Sequence, residues 1–130
     1  MPTTRPGLLL LHALALAGGA VAGMLGSFVH PLGVAGLPAG LLLALALSVT
    51  VVRCAGLLVV SRSGAAAAGV GWLVMVLLLA APRPEGDLVV AGNSAGYAWL
   101  VAGTLIVGLA IGLPHGRSRR APSARVEVGR

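Results

Sequence analysis

The 130 residues are 58% hydrophobic and 9% charged, with a formal charge of +6, against about 25% charged in an ordinary globular domain. So few polar groups could not cover a water-facing surface, which excludes a soluble fold. A single cysteine, Cys54, excludes an intrachain disulfide and a multi-thiolate metal site.

Met1 to Gly7, broken by Pro2 and Pro6, reads as a cytoplasmic lead-in with no element of its own. The first apolar run, Leu8 to Val29, is long enough to cross a hydrocarbon core of roughly 30 Å at about 1.5 Å per helical residue. Arg5, the Leu8 to Ala17 run and Ala20-Val21-Ala22 also have the look of a secretory signal. The apolar run continues past that point without a polar break, so the segment is expected to stay; cleavage would leave three spans. His30 and Pro31 stop this first span, and Pro31 to Gly36 forms an outer turn.

The second span is predicted over Leu37 to Val60, with Pro38 in its first turn, where the missing N–H costs nothing. Ser61-Arg62-Ser63-Gly64 is a tight inner break that makes spans two and three antiparallel neighbours. The third span, Ala65 to Ala81, ends at Pro82 and Pro84. The fourth could start at Leu88, but Asn93-Ser94 offers a natural N-cap. A start at Ala95 and an end at Leu113 give a run close to the usual length. Tyr97 and Trp99 then fall in the first turns, at the expected headgroup level. From Pro114 to Arg130 the chain is polar, basic and expected to be disordered.

These elements predict an all-α membrane protein, with residues 8–113 forming four transmembrane helices in a compact up-down bundle. Arg117, Arg119, Arg120, Arg125 and Arg130 all follow the last span. No aromatic residue lies among them for base stacking, so the charge speaks for topology and not for nucleic acid. With both ends cytoplasmic, Arg5, Arg62 and the five tail arginines lie inside and Arg83 alone lies outside, as the positive-inside rule prefers. The expected location is a bacterial plasma membrane, with the bilayer as first partner and anionic lipid headgroups as a further partner for the tail.

Small residues recur at helical spacing as Ala15, Gly19, Gly23 and Ser27; as Gly40, Ala44 and Ser48; as Ala67 and Gly71; and as Thr104, Gly108 and Gly112. In lipid such ridges let helix backbones approach closely, and most are expected to pack within the chain. Others would serve a homo-oligomer or a membrane-protein partner.

Arg53 is the one charge inside a span, roughly 12 Å from the inner end and within snorkelling reach. His12 lies at similar depth from the same side and could accept a hydrogen bond when neutral. Together they form a candidate intramembrane polar site. No Asp or Glu falls in a span, which disfavours a proton-coupled exporter. Ser48, Cys54 and His12 make no nucleophile motif, which disfavours an intramembrane hydrolase. No catalytic, metal or cofactor site is predicted.

The densest polar cluster, Arg83-Pro84-Glu85-Gly86-Asp87, lies in the outer connection. Arg83, Glu85 and Asp87 are a candidate outer-loop contact or a stiff turn; two carboxylates alone make only a weak cation site. The run Arg83 to Val90, followed by Asn93 and Ala95-Gly96-Tyr97, resembles a family of small four-span membrane proteins of unknown function from high-GC Gram-positive bacteria. Gly26-Ser27-Phe28-Val29-His30 and Gly71-Trp72 are similar to that family as well. The resemblance covers most of Leu8 to Leu113, leaves out the tail, and implies no activity. The sequence therefore favours a non-enzymatic accessory or assembly subunit, and after it a small transporter or pore in which Arg53 lines a polar path.

Overall fold

The computed structural model describes residues 5–82, 84, 86 and 89–114. Four helices, α1 (Arg5–Val29), α2 (Ala39–Val59), α3 (Arg62–Ala80) and α4 (Ser94–Gly112), account for the fold. Each is long and apolar enough to cross a membrane. Among the described residues the sole extended pairing is a bridge between Val34 and Leu37, so the all-α expectation holds. The start of α1, the end of α2, the start of α3 and the end of α4 share one end of the bundle, called here the basic end.

Local chemistry sets the helix boundaries. Arg5, Pro6 and Gly7 belong to the first turn of α1 and not to a separate lead-in, because proline is tolerated where helical N–H groups have no partner. α2 begins at Ala39, two residues later than the sequence suggests. Leu37 is held in a tight turn instead, exchanging both backbone hydrogen bonds with Val34 at 3.0 and 3.1 Å. Ala35 and Gly36 at the turn's centre have φ of 51° and 80°, the positive pair that a primed turn requires.

At the other end of α2, Val60 adopts a left-handed conformation, φ 52°. The Val60 N–H reaches the Leu57 carbonyl and the Ser61 N–H the Gly56 carbonyl, a Schellman closure. Ser61 then serves both helices, because its Oγ accepts the Ser63 N–H at 3.1 Å as the N-cap of α3. That cap starts α3 at Arg62, earlier than the expected Ala65. The later of the two possible starts of α4 is the observed one: Asn93 Oδ1 accepts the Gly96 N–H at 2.9 Å.

Packing follows from missing side chains. α1 lies closest to α3, where Gly19 backs onto the Ala68 carbonyl and Gly71 onto the Leu16 carbonyl. A Cβ at Gly23 would come within 2.8 Å of the Trp72 carbonyl oxygen. These contacts allow the close backbone approach that stabilises helix pairs in lipid. α2 packs against α1, α3 and α4, burying Gly40, Ala44 and Ser48.

The ridges of α1 and α2 are thus intrachain interfaces. The fourth ridge is not. Thr104, Gly108 and Gly112 are exposed, and a Cβ at Gly108 or Gly112 would meet nothing within 4 Å. α4 instead buries Gly96, Trp99, Gly103, Val107 and Ala110. The rotation has a cause: the face that turns inward carries a tryptophan, with a large apolar area and an N–H that needs a partner.

Candidate functional site

Two tryptophans occupy the centre, and each is bonded to a serine of another helix. Trp72 on α3 donates its indole N–H to Ser48 Oγ on α2 at 2.9 Å. Trp99 on α4 donates to Ser27 Oγ on α1 at 3.3 Å. Both hydroxyls pass their own proton back along the helix, Ser48 to the Ala44 carbonyl and Ser27 to the Gly23 carbonyl, each at 2.8 Å. Every member is therefore satisfied where water is absent, the condition under which buried polar groups cease to be a liability.

Glycines make room for the rings. A Cβ at Gly103 would stand 2.7 Å from the Trp72 ring, and one at Gly26 would collide with the Trp99 ring. The two indoles meet edge to face, with centroids 5.4 Å apart at an interplanar angle of 65°, a favoured aromatic arrangement. His30 stacks on Trp99 at 5.8 Å and 12°. Its Nδ1 lies 2.9 Å from the Ser27 carbonyl, which can only accept, so Nδ1 carries the proton in the neutral ring.

This core was only partly visible in the sequence. Trp99, in the second turn of α4, is 0% exposed, so its ring packs inside the bundle; Tyr97 is exposed at 62%. The ring of Trp99 turns inward because Ser27 supplies an acceptor and Gly26 supplies space. His30, read as a helix stop, is 4% exposed and belongs to the core.

The two members of the candidate intramembrane polar site go to different places. His12 on α1 faces α3: its Nδ1 lies 2.8 Å from the Leu8 carbonyl and its Nε2 2.8 Å from Ser63 Oγ. Because the carbonyl must accept, the neutral ring donates from Nδ1 and accepts the Ser63 hydroxyl proton at Nε2. Ser61 Oγ lies 2.9 Å from Ser63 Oγ, so Ser61 donates next in a short chain across the basic end.

Arg53 on α2 reaches the last turn of α4 instead. Its Nη1 donates to the Ala110 and Leu113 carbonyls at 3.4 and 3.1 Å, and its Nη2 donates to the Pro114 carbonyl at 3.0 Å. Arg62 adds a bond from Nη2 to the Gly112 carbonyl at 3.3 Å. Two cations from α2 and α3 thus close the carbonyl end of α4, where the orphan acceptors and the negative pole of the helix dipole coincide. Cys54, next along α2, is exposed on the bundle surface.

Arg83, Glu85 and Asp87 lie outside the described residues, as does the basic tail from His115. Among the described residues, no group of three or more His, Cys, Asp or Glu side chains is placed to hold a metal ion.

Residues 2–127 match the model of a family of unknown function, DUF6113. The match extends well into the tail, farther than the resemblance read from the sequence. No curated protein and no solved structure matches the chain.

Proposed function

The chain belongs to the DUF6113 family, which brings no activity with it, and we propose that it is a non-enzymatic accessory or assembly subunit. It sits in the plasma membrane of a high-GC Gram-positive bacterium, crosses the bilayer four times and keeps both ends in the cytoplasm. The observation that carries this reading is how its polar side chains are used. Trp72, Trp99, Ser27 and Ser48 fasten helices to one another, and Arg53 and Arg62 close the end of α4. Each bond serves the shape of the bundle, which suits a protein whose product is a surface held in the membrane. The guanidinium of Arg53 bound to α4 carbonyls weighs against a role lining a polar path.

Crosslinking in native membranes followed by affinity purification tests the proposal. One larger membrane or envelope protein should be recovered reproducibly in stoichiometric amount. Anion flux in proteoliposomes that vanished with Arg53→Leu, with no partner recovered, would replace this reading by that of a small transporter.

A further inference from the structure

Between α3 and α4 runs an apolar groove of about 260 Å³, lined by Ala66, Gly69, Leu73, Thr104, Gly108 and Ile111 among others. A dry apolar cavity of roughly 150 Å³ holds a benzene ring, so this groove has room for a longer hydrocarbon segment. Its open side is real surface: Thr104 and Gly108 are exposed, and a Cβ at Gly108 would meet nothing within 4 Å. Thr104 and Gly108, two of the three exposed small residues of the fourth ridge, are thus part of the groove wall.

One end of the groove is charged. Arg62 opens α3 and bonds across to the Gly112 carbonyl at the end of α4, so it bridges the two walls at the basic end. Ala66 lies one turn further along α3, about 6 Å away, and Leu73 about 16 Å away at the helical rise. The apolar channel therefore extends from a guanidinium over the depth of the upper part of an acyl chain. Of the five N–H donors of Arg62, one is directed to the Gly112 carbonyl. The Arg53 guanidinium lies at the neighbouring Leu113 and Pro114 carbonyls, and neither α3 nor α4 contains a carboxylate.

We propose that this groove binds an acidic phospholipid, with an acyl chain between α3 and α4 and the phosphate on Arg62. The fit is one of charge and depth together: an apolar slot whose mouth is cationic and whose walls carry no acid. It rests on the basic end lying at headgroup level, as in the four-span reading above.

Native mass spectrometry of the full chain in detergent can test this with phosphatidylglycerol and phosphatidylcholine of identical acyl chains. The wild type should retain phosphatidylglycerol preferentially. Arg62→Gln should cut that preference roughly fivefold, the worth of one arginine beside anionic headgroups. Gly108→Leu should lower retention of both lipids by filling the groove while leaving thermal stability unchanged, since its side chain enters open space. Undiminished retention by both variants would overturn the proposal. So would a dimer that Gly108→Leu dissolves without changing lipid retention, which would make the face an interface between copies. Lipid retention is read in detergent and topology in cells, so failure here is distinguishable from failure of the four-span reading.

Discussion

Trp72 Nε1 lies 2.9 Å from Ser48 Oγ, and both residues are buried. Ser48→Ala removes the acceptor and leaves an indole N–H with no water to turn to. The expected loss is about 0.6–2 kcal/mol, the range for such bonds between membrane helices. Trp72→Phe should cost more, because ring area is lost as well. The double variant should then fall short of the sum of the two, since one bond cannot be lost twice. Thermal unfolding in detergent provides the comparison, and strict additivity would show that the bond contributes nothing.

Glycines on two helices are expected to behave oppositely. Gly23→Leu should disrupt the bundle, because even a Cβ there comes within 2.8 Å of the Trp72 carbonyl oxygen; in a packed interface, overfilling costs roughly 1–3 kcal/mol or more. Gly108→Leu should leave stability near wild type, and Leu10→Ala should do the same, because Leu10 is 60% exposed. Melting temperatures in detergent rank the three. A Gly108→Leu variant as unstable as Gly23→Leu would contradict the assigned rotation of α4.

Arg53→Leu should insert normally, since removing a charge from a span lowers its insertion cost. It should nevertheless loosen the end of α4. Charge-assisted hydrogen bonds contribute about 1.5–3 kcal/mol when buried, and Arg53 is only half-buried, so a loss near the lower end is expected. Arg53→Lys should recover part of it, because an ammonium can meet one or two carbonyls but lacks the fork. Faster hydrogen exchange confined to the last turn of α4 is the signature to measure; unchanged exchange there would remove the capping role.

Ala35 has φ of 51° in the turn between α1 and α2, where a Cβ carries a penalty of roughly 1–2 kcal/mol. Ala35→Gly should relieve it and raise thermal stability modestly. A lower melting temperature would count against the turn as described.

These outcomes separate what the residues announce from what only packing decides. Four helices were legible because Pro31, Ser61, Pro82 and Asn93 punctuate long apolar runs, and each mark acts locally. Which face of α4 turns inward was not legible. Spacing by four residues fits Thr104, Gly108 and Gly112 as well as the buried Gly103 and Val107, and a helix apolar all round lacks the polar stripe that marks the outer face in water. Nor could spacing show that Trp99 meets Ser27 across the bundle. The sequence sets Arg53 within the last two turns of α2, but its long side chain could have reached lipid, water or protein, and only the position of α4 decides among them.

The central claim is that the four helices cross a bilayer with both chain ends in the cytoplasm. Single-cysteine labelling in intact cells tests it most directly, using an impermeant thiol reagent on a background lacking Cys54. A cysteine at Gly33, in the exposed turn between α1 and α2, should be labelled from outside, while one at Ser123 should react only after the membrane is opened. Labelling of position 123 in intact cells, or protection of position 33, would contradict the account.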